Sequence, residues 1–365
     1  MKKIYISTIA AAILTTGAMA QSNTIKEAFA NGKASGDISV YTERVNNSGD
    51  TKDSGFSMTS IGLNYETDSV NGFAAALGMR TNHKLHEKED GDFDETTPKT
   101  VLNTANISYT NDYATIIAGR QEIDLEWIGD YHEAVVGAFT VIPDTTIVVG
   151  HTTRFMAADN DAELEKMGDI GKDGASVIDV KYEGLKNTTI NPYFMNANDL
   201  FSAYGLKVDT SIAGINLTAH YAATNEDEKG KEDGSIAHLE IGTTVSDIEL
   251  AAGYITNDKN GAAGSITALG DNIDPSEDLG DFIYDEVDAD AIYASIAAEI
   301  SSVSLSALYT TVNYGTNDDK VSEIVLTAGA SITDELALDL LVSSVDAENS
   351  DDDSDKIALM ASYSF

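Results

Sequence analysis

The chain of 365 residues contains no cysteine at all. This absence excludes a disulfide framework, thiolate metal sites and catalysis by a thiol nucleophile. An exported protein meets oxidising conditions in which stray thiols would pair with one another. The cysteine content therefore agrees with a protein that leaves the cytoplasm.

Basic residues and proline are also scarce. The 22 lysines and arginines are outnumbered by 61 aspartates and glutamates, which gives a formal charge of −39. Because a phosphate backbone attracts the opposite sign, we expect no nucleic-acid partner. A hydrophobic content of 42% and 16 tyrosines argue against disorder. The four prolines fit a sheet protein, since proline interrupts strands.

Long apolar runs are absent after the first 20 residues, which resemble a cleaved signal peptide. Lys2 and Lys3 precede an apolar run from Ile4 to Leu14, and Ala18-Met19-Ala20 offers a small-x-small cleavage site. The run is too short to span a bilayer as a helix. The remaining 345 residues (365 minus 20) therefore suit either a soluble exported protein or a β-barrel, whose alternating strands dilute the hydropathy signal.

Alternation of apolar and other residues dominates the chain from Gly36 onward. It predicts an all-β transmembrane antiparallel up-and-down barrel of about 18 strands, with 16 as the alternative. Short turns and long polar segments follow one another, which is typical of periplasmic turns and outer loops. Thr24 to Glu27 reads as a capping box. We therefore divide the chain into a signal peptide (1–20), a short periplasmic helix segment (21–33) and the barrel (34–365).

The acidic surplus is concentrated in the long segments. Asp271 to Asp290 contains nine carboxylates and no basic residue, and Asp346 to Asp355 contains six and none. We interpret both as parts of a solvated outer rim. The second run lacks the spacing and the glycine of a calcium loop, so we predict no metal site there.

The chain ends in an alternating strand with Tyr363 and Phe365 on its apolar face. A terminal aromatic after such a strand resembles the signal by which outer-membrane barrels reach their assembly machinery. On this interpretation the two rings lie in the periplasmic aromatic girdle.

Two stretches carry a more specific resemblance. Ile25-Lys26-Glu27-Ala28-Phe29-Ala30-Asn31-Gly32-Lys33 resembles the start of the Opr-family porins, and Ala118-Gly119-Arg120-Gln121-Glu122-Ile123-Asp124 resembles the passage into their constriction loop. The chain is thus similar to OprD-type porins. The resemblance implies an 18-stranded pore, monomeric or trimeric, in which basic side chains guide solutes past an inward loop. The chain departs from that family in having Asp37-Ile38-Ser39 where an arginine is common.

Period-two alternation indicates which charged side chains face the lumen. The predicted pore-lining basic residues are Arg80, Arg120, Arg154, Lys181 and Lys207. The predicted acidic lining or constriction residues are Glu122, Asp124, Glu126, Asp179 and Asp209. The parity of Arg120 and Arg154 is ambiguous, and we place them in the lumen because a cation in the lipid costs about 2–4 kcal/mol. Either these residues form a stripe with a transverse field, or they are scattered. Trp127 belongs to the constriction loop or to a girdle.

The sequence therefore predicts an outer-membrane porin for small hydrophilic solutes and ions, with a preference for cations or zwitterions. It predicts no cofactor and no enzymatic activity, since no Gly-x-Ser-x-Gly elbow or His-Glu-x-x-His motif is present. The alternatives are a barrel hydrolase and a structural surface barrel. Expected partners are membrane lipid, lipopolysaccharide, the barrel assembly machinery and further copies in a homotrimer.

Overall fold

The computed structural model describes residues 22–348 and 352–365. The predicted signal peptide (1–20) lies outside the described residues, as does Asp351 in the second acidic run. Within the described part, no helix is long and apolar enough to cross a membrane.

Eighteen strands build the wall. They are β1 (Lys33–Asn47), β2 (Phe56–Glu66), β3 (Phe73–Glu87), β4 (Thr100–Asn111), β5 (Ala114–Glu122), β6 (Tyr131–Ile142), β7 (Thr145–Met156), β8 (Ala175–Leu185), β9 (Thr188–Ala197), β10 (Phe201–Ile212), β11 (Ile215–Glu226), β12 (Gly234–Val245), β13 (Ile248–Asn257), β14 (Asp290–Ile300), β15 (Val303–Tyr314), β16 (Asp319–Ser331), β17 (Leu336–Ala347) and β18 (Ser354–Ser364). A further strand of two residues, Gly168–Asp169, pairs with the end of β7, beyond the residues of β7 that pair with β8.

The wall closes on itself, so it has no free edge. Each strand is antiparallel to its neighbours in sequence, and β1 pairs with both β2 and β18. The backbones of Gly36 and Phe365 exchange two hydrogen bonds of 3.0 Å at this seam. Closure pairs the backbone N–H and C=O groups along every strand edge. A membrane requires this pairing because lipid offers no hydrogen bonds. The predicted antiparallel barrel of about 18 strands is confirmed.

Turns of two to six residues join the strands at the periplasmic end. Several contain residues in the left-handed region, such as Asp144 (φ 55°), Asn187 (φ 53°) and Asp247 (φ 70°). Short turns of this handedness match the twist of the strands that they join. Asparagine and aspartate tolerate the conformation, so the local sequence determines where the chain reverses.

The outer face of the wall is apolar, and the inner face is polar. In β11, Leu217 and Tyr221 are 38% and 48% exposed, whereas His220 between them in the alternation is 5% exposed. Strands of a membrane barrel expose their apolar side to lipid and their polar side to the lumen. Tyr363 and Phe365 lie on the exposed side, 45% and 51% accessible.

A short helix, α1 (Ile25–Ala30), precedes the wall at the periplasmic end. The Thr24 hydroxyl caps it by accepting from the Glu27 N–H at 3.2 Å. This is the capping box that the sequence predicts.

Three long connections fold toward the interior rather than away from it. They are residues 123–130, 157–174 and 258–289, the last of which contains a 3₁₀ turn (Ser265–Leu269) and the helix α2 (Gly280–Tyr284). The interpretation of Asp271 to Asp290 as a solvated outer rim is therefore wrong for its first half. Ile266, Leu269, Leu279 and Ile283 are 2% exposed or less and pack with the 123–130 loop, which holds the segment inside the barrel.

Candidate pore constriction

The 123–130 loop enters the lumen as a compact hairpin. Ile123, Leu125, Trp127 and Ile128 are all 4% exposed or less and pack with the inner wall. The backbones of Leu125 and Ile128 exchange two hydrogen bonds of 3.0 Å. A left-handed conformation at Trp127 (φ 70°) closes this tight turn. The loop is therefore fixed by buried apolar contacts, and its alternate positions Asp124 and Glu126 are left to interact with polar neighbours.

Trp127 anchors the loop to the wall. Its indole N–H donates to the Tyr193 hydroxyl at 2.6 Å, and that hydroxyl lies 2.7 Å from Nε2 of His220. The hydroxyl oxygen accepts from the indole and also shares a hydrogen bond with His220, in which the tautomer of the imidazole decides the donor. Trp127 is 1% exposed. The structure thus places it in the constriction loop, and the alternative of a membrane girdle is wrong.

Most of the predicted charged residues converge on this loop. The Glu126 carboxylate is 3.0 Å from the Lys207 ammonium group. Lys181 and Lys207 both act electrostatically on Asp124 and on Asp179. Residues Asp179, Lys181, Lys207 and Asp209 come from β8 and β10, on the inner side of the wall.

The 258–289 loop crosses the lumen and touches both sides. At its near end, the N–H of Trp127 donates to Asp271 at 3.2 Å, and the N–H of Gly129 donates to the Leu269 carbonyl at 3.0 Å. At its far end, Glu277 and Asp278 form ion pairs of 3.0 and 2.7 Å with Lys356 of β18.

The far end is also held through its backbone. The N–H groups of Glu277 and Asp278 both donate to the Glu323 carboxylate at 3.0 Å, and the Ser343 hydroxyl donates to the same carboxylate at 2.9 Å. Glu323 is 1% exposed. We call Lys356, Glu277, Asp278 and Glu323 the latch of the 258–289 loop.

The 157–174 loop is the third inward loop, and it covers the part of the lumen next to β1 and β3. The Asn82 amide donates to the carbonyls of Asp159 and Ala162 at 2.9 and 2.7 Å, and the Ser39 hydroxyl donates to the Asn160 carbonyl at 3.3 Å. Three inward loops, each held at a different sector of the wall, therefore narrow the pore.

Arg80 faces the lumen on β3, away from Lys181 and Lys207. Its guanidinium group forms a two-pronged ion pair with Asp37 at 2.8 and 2.9 Å and donates to the Ser60 hydroxyl at 2.7 Å. The aspartate that replaces the arginine common in OprD-type porins is thus the partner of Arg80.

Arg120 and Arg154 form a separate row at the outer ends of β5 to β7. Arg120 pairs with Glu133, which also pairs with Arg154 at 3.4 Å, and Arg154 pairs with Asp169 at 2.9 Å. The register makes these residues cross-strand neighbours. They lie on the face opposite to His132, which contacts the constriction loop through the Gly129 carbonyl. The two arginines therefore do not join Lys181 and Lys207 in one stripe, so of the two arrangements that the sequence left open the structure has the scattered one.

The two arginines reach this position for different reasons. Arg120 lies in an unshifted register and alternates with Gln121, which is 4% exposed, whereas the pairing of β6 and β7 shifts its register between Glu133 and Ala134, just before Arg154. A bulge reverses the face of every residue beyond it. Cross-strand carboxylates also neutralise these two arginines. The cost of an unpaired cation in lipid, which was the reason for placing them in the lumen, therefore does not apply.

Burial raises the pKa of carboxyl groups in the inward loops. Desolvation raises the pKa of Asp130 to about 7, with Asp159, Glu165 and Glu122 adding like charge. Desolvation also raises the pKa of Asp271 to about 6, where Glu126 is the largest charged contributor. The pKa of Asp159 is raised by burial and then by Asp161. Asp130 and Asp271 therefore titrate closer to neutral pH than an ordinary aspartate does.

Sequence reasoning missed Lys356, Asp130, Asp159 and Asp271. Asp130, Asp159 and Asp271 lie in the inward loops, and Lys356 contacts one of these loops from β18. All four therefore reach the constriction through contacts between segments that are distant in the sequence. The sequence did contain a usable signal in the apolar residues of the first acidic loop. A long loop that contains Ile266, Leu269, Leu279 and Ile283 cannot be wholly solvated.

Comparisons with known proteins agree with this architecture. The sequence model of the Gram-negative porin family matches residues 7–365. OccAB4 of Acinetobacter baumannii superposes with a TM-score of 0.76 at 14% identity, covering 91% of this chain and 98% of that one. OccK9 (OpdG) of Pseudomonas aeruginosa gives a TM-score of 0.76 at 13% identity, covering 93% and 99%. OccK8 (OprE) of the same organism gives 0.74 at 12%, covering 92% and 98%. No curated protein matches the chain by sequence.

The structural neighbours share the fold, and the family match extends over nearly the whole chain. The resemblance to OprD-type porins that the two sequence stretches indicated is confirmed. The apolar outer face is the surface that meets lipid. The chain belongs to the Gram-negative porin family, and its place is the outer membrane.

Proposed function

We propose that this porin conducts small hydrophilic solutes and ions with a preference for cations and zwitterions over anions, and that it catalyses no reaction. The observation that carries the proposal is an imbalance of pairing in the lumen. Basic side chains there are largely matched by carboxylates, while several carboxylates of the inward loops form no ion pair with a basic side chain among residues 22–348 and 352–365.

The lumen cations are largely neutralised. Arg80 is paired with Asp37, Lys207 with Glu126, and Lys356 with both Glu277 and Asp278, at 2.7 to 3.0 Å. A paired cation offers little attraction to a passing anion, because the neighbouring carboxylate repels it. A basic wall that guides anions is therefore weakened at three of its positions.

The loop carboxylates are in excess. In the described residues, no ion pair within 4.0 Å joins Asp124, Asp130 or Asp159 to a lysine or an arginine, although Lys181, Lys207 and Arg80 act on them from further away. Rings of carboxylates in a narrow pore raise the local concentration of cations and repel anions. The excess supports cation preference at the narrowest level.

Lys181 favours zwitterions in particular. Among the described residues it has no ion-pair partner within 4.0 Å. Burial raises the pKa of Asp124, and Lys181 is the nearby charge that most opposes this rise, so the two groups are close enough to interact. A zwitterion presents its carboxylate to Lys181 and its ammonium group to Asp124 at the same time. Opposed charges of this kind orient a dipolar solute as it passes.

The lumen histidines support a pore rather than a hydrolase. His132 is fully buried between Thr152 and the Gly129 carbonyl, and His220 is bonded to Tyr193. A general base must reach a substrate proton, and neither ring is free to do so. These imidazoles instead support the constriction loop.

The remaining partners follow from the exposed surface. We propose that the outer face contacts membrane lipid and lipopolysaccharide, and that Tyr363 and Phe365 are read by the barrel assembly machinery. Both rings are about half exposed at the end of β18, which supports this role. For the oligomeric state, we propose a homotrimer as the alternative to a monomer.

The reversal potential of the mature protein in a planar bilayer under a salt gradient tests the selectivity. We expect cation preference, and we expect Asp124→Asn to reduce it. Asp334→Asn, in a periplasmic turn, is the matched control and should leave it unchanged. Anion preference of the parent protein would refute the proposal.

A further inference from the structure

The helix α1 exposes an apolar edge at the periplasmic end of the barrel. Ile25 is 71% exposed and Phe29 is 58% exposed, whereas Ala28 is 3% exposed. Residues four apart lie on the same side of a helix. Ile25 and Phe29 therefore form one unpartnered apolar edge, beside the side on which Ala28 packs against the barrel.

This helix is held in a defined position. The Ala28 carbonyl accepts from the Asp68 N–H at 3.1 Å, the Ser22 hydroxyl donates to the Asp68 carboxylate at 3.0 Å, and the Ser22 N–H donates to the Ser69 carbonyl at 2.9 Å. An isolated helix of six residues is unstable in water. The turn between β2 and β3 therefore fixes both the helix and the direction of its apolar edge.

The apolar edge continues the lipid-facing belt. The Tyr65 hydroxyl donates to the Phe29 carbonyl. Tyr65 shares its side of β2 with Ile61 and Leu63, which are 38% and 45% exposed and belong to the outer face. The end of α1 is thus tied to the outer side of the wall.

Two lysines flank the edge. Lys26 and Lys33 are both exposed, and neither forms an ion pair among the described residues. The chain has only 22 basic residues against 61 acidic ones, so two lysines near one helix edge are a local concentration of cations, beside the carboxylates of Glu27, Glu66 and Asp68. Phospholipid phosphates are the anions available at this level of the membrane, and cations beside an apolar helix edge favour binding to them.

We propose that α1 is an interfacial anchor. In it, Ile25 and Phe29 insert into the phospholipid of the inner leaflet while Lys26 and Lys33 contact its phosphate groups. This role concerns the membrane around the barrel, so it does not depend on the selectivity of the pore. It would fix the height of the periplasmic rim relative to the bilayer.

The test places a fluorescent side chain on the edge. Phe29→Trp in the mature chain is reconstituted into phospholipid vesicles whose acyl chains are brominated, since bromine quenches indole only at close range. The parent chain supplies the background, because Trp127 is its single tryptophan and is enclosed in the lumen. We expect strong quenching and a blue-shifted emission from the introduced indole.

Ala30→Trp is the matched control. Ala30 is exposed on the same helix but is rotated by about 100° from Phe29, away from both the apolar edge and the buried Ala28. We expect this indole to be quenched by aqueous iodide and only weakly by bromine. Channel conductance of each variant confirms that the barrel has folded.

Equal bromine quenching at the two positions, or iodide quenching at position 29, would overturn the proposal. The apolar edge would then face the periplasm and a protein partner. In the same vesicles, Lys26→Gln combined with Lys33→Gln should lower the quenching of the Phe29→Trp indole when anionic lipid is present. Unchanged quenching in anionic lipid would remove the lysines from the proposal.

Discussion

Removing the cation of the latch should widen the pore. Lys356→Met deletes the only ammonium group that the described residues place against Glu277 and Asp278. The two carboxylates then lie beside that of Glu323 with no compensating charge. Repulsion among three carboxylates favours release of the far end of the 258–289 loop from the wall.

The magnitude follows from the burial of the latch. The side chains of Lys356, Glu277 and Asp278 are 15%, 28% and 30% exposed, so the pairs are intermediate between surface and interior. Exposed pairs contribute about 0–1 kcal/mol, and breaking a buried pair costs about 3–5 kcal/mol. A cost of about 2 kcal/mol is a reasonable estimate. It changes the ratio of docked to released loop by about 30-fold.

Single-channel recording measures this ratio directly. We expect Lys356→Met to add open levels of higher conductance, with dwell times that report loop release. Lys84→Met is the matched control, because Lys84 has similar burial and pairs with Glu87 on its own strand and with Glu95 in the loop that follows, neither of which belongs to the 258–289 loop. Adding Glu277→Gln to Lys356→Met should restore part of the parent behaviour by reducing the repulsion. A Lys356→Met channel with the conductance levels and dwell times of the parent would refute the reasoning.

Two further outcomes are expected at the constriction. Since the pKa of Asp130 is raised to about 7 by burial and then by Asp159, its carboxyl group is neutral below that pH and charged above it. Cation preference, read from reversal potentials, should therefore rise from pH 6 to pH 8, while the stability that the neutral form contributes is lost as the pH rises from the ordinary pKa of 3.8 to about 7. Asp130→Asn should flatten this part of the pH profile, and an unchanged slope would exclude Asp130 as its origin. Tyr193→Phe removes the hydroxyl that bonds Trp127, at a cost of about 1–3 kcal/mol, and should increase open-channel noise. Tyr293→Phe, whose hydroxyl bonds other groups, should not; equal noise in both variants would contradict the anchoring role.

The wall could be predicted from the sequence because its rules are local. Alternation identifies a strand within ten residues, as in Ile215, Leu217 and Ala219, and asparagine or aspartate marks a short turn. The lumen position of Lys181 and Lys207 followed from the same parity. Each of these inferences uses only the residues next to one another in the chain.

The constriction could be predicted only in part, because its contacts join distant segments. The loop beginning at Glu122 was identified, but the bond from Trp127 to Asp271 spans 144 residues and that from Lys356 to Glu277 spans 79. The apolar residues of the acidic loop indicate that part of it is buried, but no local pattern identifies the distant residues that it contacts. The parity of Arg154 was ambiguous in the sequence because a bulge lies just before it, and a bulge cannot be read from alternation.

The few basic residues of the lumen serve as attachment points for the inward loops, so charge and pore width are coupled. Lys207 holds the 123–130 loop through Glu126, as Lys356 holds the 258–289 loop. A single substitution cannot separate the two effects, but a pair can. Lys207→Met and Glu126→Gln break the same contact and change the net charge in opposite directions. A conductance change common to both variants reports loop position, and a reversal-potential change of opposite sign reports charge. If both shifted the reversal potential in the same direction, the charges at this contact would not determine selectivity, and loop position alone would.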